Sequence, residues 1–370
     1  MDTRGLLDFI IISIPGLSPR DRLFLCEKFD LEGEISILSR EDIEKILQKP
    51  LNRYAFSMEG VLRQAEADYR RTLRQGIGFI SWKDAEYPPL LREISDPPVL
   101  LFFRGSLPPQ DLAPAAIVGT RKPSGQGSRA AYTFARDLAG AGIPVVSGLA
   151  LGIDAMAHRG AVDGGPGGIA VLGSGIDMVY PSANRVLAGK ILEKGGALFS
   201  EYVPGTIPAR WRFPARNRII AGLCRGTLII EAGDRSGALI TAQFALDEGR
   251  DLWVARAGID SPLGGGTRRL ASDGAPVLEN AAELLAEWQV PSAGGAIPQG
   301  EPRSSGEALA FSLMENILRI QKRSVYGGKD SQERERQENP GDCRIPGQGQ
   351  DHREISGTQL QCQGVHGASH

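Results

Sequence analysis

Ala115-Ala116-Ile117-Val118-Gly119-Thr120-Arg121-Lys122-Pro123-Ser124-Gly125-Gln126-Gly127 is the stretch on which the fold turns. Four apolar residues without a polar break suit a strand covered on both faces, the environment of a parallel sheet. Glycines and Pro123 end that strand abruptly, and apolar residues then recur at helical spacing from Arg129 to Ala139. A buried strand, a glycine-rich turn and a helix in immediate succession form the first half of a βαβ unit.

The rhythm continues outward from this stretch. Val145–Ser147, Ile169–Leu172, Ala197–Ser200, Thr227–Glu231 and Leu252–Ala255 read as further buried strands, with helices expected at Asp154–Val162, Asn184–Glu193, Arg216–Leu223 and Ala238–Glu248. Gly140, Gly142, Gly195 and Gly249 stand where helix ends need them. The pattern predicts an α/β domain over residues 115–290, built on a doubly wound, mainly parallel sheet.

Residues 1–75 read as a small all-helical domain, with helical periodicity at Arg20–Phe29 and Glu41–Leu47 broken by Pro15, Gly33 and Pro50. Its turn Ile14-Pro15-Gly16-Leu17-Ser18 resembles the hairpin of SAM/helix-hairpin-helix-like modules, although Ser18 stands where a second glycine is usual. Packing is the favoured role of that turn over DNA contact. Residues 76–114 read as an extended connector, because Pro88, Pro89, Pro97 and Pro98 argue against a helix. Residues 291–323 read as a linker with one amphipathic helix near Glu307–Ile320. From Ser324 to His370 the large apolar residues are Val325, Tyr326, Ile345, Ile355, Leu360 and Val365, scattered without a period. A tail of that composition is expected to be disordered, since it cannot bury enough surface to offset its chain entropy.

The chain has 370 residues, 41% hydrophobic and 23% charged, with a formal net charge of -2. A basic coat is therefore excluded, and any nucleic-acid contact must use a local patch. No apolar run is long enough to span a membrane, the run Phe9–Ile12 breaking at Pro15, so no membrane association and a cytoplasmic location are expected. Cys26 and Cys224 stand alone, Cys343 and Cys362 lie in the polar tail, and no C-x-x-C pair suggests a metal or redox site. No cofactor is expected.

Ligands of a doubly wound sheet sit at the carboxyl ends of its strands, so the segments after each strand are the candidates. Five of them stand out. Gly119, Thr120, Arg121 and Lys122 follow the first strand, where backbone amides and two cations suit an anion. Ser147, Gly148 and Gly152 bracket the loop after the second, with Asp154 expected as the N-cap of the next helix. The third holds Gly173-Ser174-Gly175, Tyr180-Pro181 and Asn184. In the fourth, Arg210, Arg212, Arg216 and Arg218 fall in a stretch without acids, with Asn217 among them and Trp211 and Phe213 as possible base-stacking faces. The fifth runs from Glu231 to Ser236 and Gly237, where a hydroxyl and free amides open a helix; Glu231 is expected to pair with Arg216 or Arg218. His158 has no nucleophile motif beside it, and no triad or metal cluster can be assembled, so an enzyme is not expected.

These five segments in this order resemble the DNA-processing protein A (DprA/Smf) family, from roughly Gly76 to Trp288. The connector text Asp84-Ala85-Glu86-Tyr87-Pro88, Asp96-Pro97-Pro98 and Phe103-Arg104-Gly105 is similar too. The resemblance implies an extended Rossmann-like domain whose basic pocket binds single-stranded DNA, in a homodimer that loads RecA recombinase during natural transformation. It also implies that Arg121 and the Arg216-Asn217-Arg218 element are the pocket residues. The chain departs from the family's pattern at Arg256, where proline is usual, at Arg268, where asparagine is usual, and after Gln321. Many relatives end in a winged-helix-like domain there, and a shifted reading frame would replace it with such a tail. The rival reading is a nucleotide-binding Rossmann-like enzyme related to phosphoribohydrolases. Against it, Pro166-Gly167-Gly168 runs into Ile169 and Ala170 without the threonine and glutamate of their P-G-G-x-G-T-x-x-E text, and neither G-x-G-x-x-G nor G-x-x-x-x-G-K-[ST] occurs.

Overall fold

A computed structural model describes residues 3–30, 32–51 and 56–290. Five helices open the chain: α1 (Thr3–Ser13), α2 (Pro19–Lys28), α3 (Glu32–Ser36), α4 (Arg40–Leu47) and α5 (Met58–Arg74). Serine starts three of them. Ser18 and Ser39 each form a capping box with an aspartate three residues on, and Ser57 accepts from the Gly60 amide. Ser18 thus serves as a cap in the turn that resembles a helix-hairpin-helix, while Ile14 and Leu17 are buried and Gly16 takes a φ of 83°.

The segment 76–114 is more than a connector. It holds β1 (Gly78–Ser81), the single turn α6 (Pro89–Arg92) and β2 (Leu100–Gly105). The prolines do not exclude that turn, because Pro88 is its cap and Pro89 its first residue, where a missing N–H costs nothing. The α/β part follows as β3 (Ala115–Val118), α7 (Gly125–Gly140), β4 (Val145–Ser147), α8 (Ile153–Gly164), β5 (Ile169–Val171), α9 (Arg185–Glu193), β6 (Ala197–Ser200), α10 (Arg212–Gly222), β7 (Gly226–Ile229), α11 (Ala238–Asp247) and β8 (Asp251–Ala255). It closes with α12 (Arg256–Asp260), α13 (Gly265–Ser272), β9 (Val277–Leu278) and α14 (Ala281–Glu287).

Among the described residues nine strands join one sheet in the order β1-β2-β6-β5-β4-β3-β7-β8-β9. β1 and β2 pair antiparallel, as do β2 and β6, and the rest is parallel. The chain leaves β3 toward β4 on one side and later returns to place β7 on the other, so the order reverses at β3. Crevices of doubly wound sheets form at such a switch point, beyond the carboxyl ends of the strands. β3, β4, β5, β6 and β7 are buried along their whole length, as the apolar runs require.

The N-terminal helices are fastened to the antiparallel edge. The Phe9 ring meets Tyr69, Phe79 and Phe102 edge-on, with centroids 5.4, 5.4 and 5.6 Å away. Among the described residues no helix is long and apolar enough to cross a membrane, and Cys26 and Cys224 are free and buried. The helix expected at Glu307–Ile320 and the tail from Ser324, with Cys343 and Cys362, lie outside the described residues.

Candidate nucleic-acid interface

The loops after β3, β4 and β7 and the start of α10 enclose an open cavity of ≈ 930 Å³. Its cations are Arg121, Lys122, Arg210, Arg216 and Arg235, and Asp154 is its one acid. Lining it as well are Gly119, Thr120, Asn217, Ser236 and Gly237, with Tyr180 and Phe213 as its aromatic rings.

The β3 loop is held from beneath. Glu231 is fully buried at the end of β7 and accepts from both the amide and the hydroxyl of Ser124, at 3.1 and 2.7 Å. Its own carbonyl accepts from the Thr120 amide at 2.7 Å. Ser124 in turn caps α7 by accepting from the Gly127 amide. Glu231 therefore anchors the loop and does not form the expected pair with Arg216 or Arg218, because its carboxylate is taken up by Ser124. With the loop so fixed, Arg121 and Lys122 stay exposed, and the Arg121 guanidinium lies 5.7 Å from the centre of the Phe213 ring. Phe213 stands 5.6 Å from Tyr180 at an interplanar angle of 36°.

The β4 loop explains its glycines by close approach. A Cβ on Gly152 would lie 2.4 Å from the Thr120 carbonyl, and its φ of 80° adds a backbone demand that glycine meets freely. A Cβ on Gly148 would lie 2.6 Å from the Arg216 guanidinium. Gly148 thus makes room for a buried cation, and Ser147, whose hydroxyl donates to the Ile117 carbonyl at 2.7 Å, ties β4 to β3. Neither Ser147 nor Gly152 lines the cavity, and Gly148 reaches only a small adjoining pocket. Asp154 is not an N-cap: α8 starts at Ile153, and the Asp154 carboxylate reaches back to accept from the Gly148 and Ala150 amides at 3.1 and 3.4 Å. Burial raises its pKa, against the lowering influence of Arg216.

The arginines of α10 divide. The helix begins at Arg212, a turn earlier than the sequence suggested, because Pro214 is accommodated in the first turn. Arg216, 4% exposed, donates to the carbonyls of Gly148, at 2.8 Å, and Val171, and burial lowers its pKa to about 10 against the raising influence of Asp154. Arg218, 3% exposed, grips both oxygens of Glu201 at 2.8 and 2.7 Å, and its Nε lies 3.2 Å from Asp96. It does not line the cavity. Read from the sequence as a phosphate ligand, Arg218 is held by acids on the far side of its helix. Asn217, between them, lines the cavity and donates to the Gly237 carbonyl at 3.3 Å.

Ser236 and Gly237 open α11 at the cavity wall, where the Ser236 hydroxyl accepts from the Ala238 amide at 3.3 Å. Arg235, exposed beside them, is a cavity cation the sequence reading passed over, although its place between a strand end and a helix start was a sufficient signal. Arg256 and Arg268 are occupied elsewhere, with Glu279 at 2.9 Å and the Ser261 carbonyl at 2.6 Å, and line no part of the cavity. His158 is fully buried against the Ser147 backbone, and burial holds it neutral, with a pKa of about 3. Among the described residues no group of three His, Cys, Asp or Glu could hold a metal ion. Pro166-Gly167-Gly168 precedes β5 and so lies at the opposite end of the sheet from the cavity.

Residues 78–289 match the sequence family described as DNA recombination-mediator protein A. The chain is 43% identical over 203 residues to the DNA processing protein DprA of Streptococcus pneumoniae, covering 55% of this chain and 71% of that one. It is 38% identical over 272 residues to the protein Smf of Synechocystis, covering 72% of this chain and 64% of that one. The crystal structure of the Streptococcus pneumoniae protein superposes with a TM-score of 0.63 at 34% identity, over 78% of this chain and 99% of that one. DNA processing protein A of Helicobacter pylori, whose structure is described as revealing a single-stranded DNA binding mode, superposes with a TM-score of 0.52 at 27% identity, over 58% and 95%.

Proposed function

The chain belongs to the DNA-processing protein A (DprA/Smf) family, and from that premise we propose that its cavity holds single-stranded DNA and that the protein, as a homodimer, delivers the strand to RecA recombinase during natural transformation. The observation that carries the DNA assignment is the composition of the cavity wall. Arg121, Lys122 and Arg235 are exposed cations at its mouth, and the single acid, Asp154, already faces a buried arginine. A chain of net charge -2 has concentrated positive potential at the switch point of its sheet. Phosphates would sit against those cations and the amides that open α11, with Asn217, Thr120 and Ser236 as neutral donors.

Tyr180 and Phe213 select for single strands. Their ring faces can stack on a base only if that base is unpaired and splayed, and a duplex keeps its base faces covered. The cations, neutral donors and rings of the wall make the reading one of a binding site. Recombinase delivery and dimerisation rest on the family relationship, supported by its description as a recombination mediator. Anisotropy titrations with labelled single-stranded and duplex DNA of one sequence, at several salt concentrations, test the DNA assignment. Clear preference for the single strand is expected; equal affinity for the two would overturn it, and release of free base from nucleoside phosphates would favour the enzyme reading.

A further inference from the structure

We propose that Trp211 forms a second base-stacking station, outside the cavity, that takes a later base of the strand whose first bases lie on Tyr180 and Phe213; this rests on the reading of the cavity as a single-stranded DNA site. Trp211 follows Arg210, a cavity residue, and precedes Phe213 by two, yet it lines no part of the cavity. Its side chain is 64% exposed. The chain has four tryptophans, and Trp253 and Trp288 are buried and Trp82 half-buried, so Trp211 stands apart.

A single exposed apolar residue is ordinary and needs no explanation. Trp211, however, is held. The Arg212 guanidinium lies 4.8 Å from the centre of the Trp211 ring and 5.1 Å from that of Tyr202, and Tyr202 meets the indole edge-on at 6.4 Å and 86°. Arg212 also donates to the Ile207 carbonyl, while its buried Nε has no hydrogen-bond partner. The guanidinium is thus placed by the two rings and one carbonyl, and it fixes the indole while adding positive charge beside it. A rigid aromatic surface carrying a cation, presented to solvent one residue beyond a basic cavity, has the chemistry that unpaired bases and their phosphates require. Stacking is blind to base identity, so the station would extend the length of strand bound without adding sequence preference.

The test measures affinity for oligothymidylates of increasing length, for the intact protein and for Trp211→Ala, Trp211→Phe and Phe213→Ala. Trp211→Ala should match the unsubstituted protein on the shortest oligomers that bind and fall behind by about tenfold on longer ones, with Trp211→Phe recovering most of the loss. Quenching of tryptophan fluorescence by the longer oligomers should be reduced in Trp211→Ala. No loss at any length, or the same loss at every length, would overturn the second station. If Phe213→Ala weakens all lengths while Trp211→Ala weakens none, the cavity reading stands and this inference alone fails; if the unsubstituted protein binds no oligomer, both fail. Thermal melting of the Trp211 variants should stay with the unsubstituted protein, since the ring buries little surface.

Discussion

Arg121 and Arg218 carry the same guanidinium into opposite surroundings, and their replacement should separate binding from stability. Arg218 is removed from water and survives there because Glu201 accepts two bonds from it and Asp96 a third contact. Taking away one partner of such a pair leaves the other as a buried, uncompensated charge. Arg218→Ala or Glu201→Ala is expected to lower stability by about 3–5 kcal/mol in a urea titration, while the double replacement by apolar residues of similar size loses less than either. Arg121 and Lys122 are exposed, so Arg121→Glu with Lys122→Glu should melt as the unsubstituted protein does. Its single-strand affinity should fall, and the slope of log K against log salt should flatten by about 1.4 for two lost phosphate contacts. An unchanged slope would move those side chains off the strand. The sequence displayed four arginines in nine acid-free positions but not their burial. Arg216 and Arg218 are two apart, about 200° around a helix, so one faces Gly148 and the other Glu201. The partner that decides the role of Arg218 lies across the fold, where no local pattern could show it.

At the scale of elements, legibility followed burial. β3, β4 and β6 fall on the stretches the apolar runs marked, because a strand covered on both faces has no choice but continuous apolar text. β1 and β2 escaped notice since prolines crowd the segment between them, and α5, at 17 residues the longest helix among the described residues, stands in the sequence only as part of a helical region. The packing of α1 on β1 and β2 carries a pH signature. Asp8 of α1 is 3% exposed, with Cys26 Sγ 3.5 Å from its carboxylate and Ser81, Lys83 and Asp84 around it. Burial is the main cause that raises its pKa from 3.8 to about 6, offset in part by hydrogen bonds from Ser81 and Cys26 and by Lys83. A carboxyl whose folded pKa lies above the unfolded value stabilises the fold while protonated. That contribution is complete below pH 3.8 and is lost as pH rises through about 6, amounting to about 3 kcal/mol. Asp8→Asn should therefore hold its denaturant midpoint across this window where the unsubstituted protein declines, and should be the more stable of the two at pH 7. A difference between the two proteins that does not grow from pH 4 to pH 6 would contradict the burial of a proton at this joint.

For the whole molecule, the sheet joins two parts that the sequence read as separate. Helices α1–α5 precede the family match, which begins at residue 78 with β1, yet Phe9 of α1 lies against Phe79 and Phe102 of the first two strands. The fully buried Phe102 and the half-buried Phe79 would meet water if the helices were removed, at about 1.5–3 kcal/mol for each large side chain exposed. The other end of the chain differs. Every residue lining the cavity falls between Val118 and Thr241, and the last described helix, α14, closes at Glu287 with Trp288 packed on Trp253. Two truncations should then behave unequally. A chain ending at residue 290 is expected to melt cooperatively, to bind single-stranded DNA as the full chain does, and to elute at the mass of a dimer, the assembly proposed for it. A chain lacking residues 1–75 is expected to lose stability or aggregate, because the apolar face of β1 and β2 is left uncovered. Light scattering on the eluted peaks, with anisotropy on the same samples, checks both. A monomer from the first truncation whose full-length parent is a dimer would place the interface after residue 290. A well-folded, DNA-binding second truncation would show that the helical part is an attachment to the sheet and contributes nothing to its integrity.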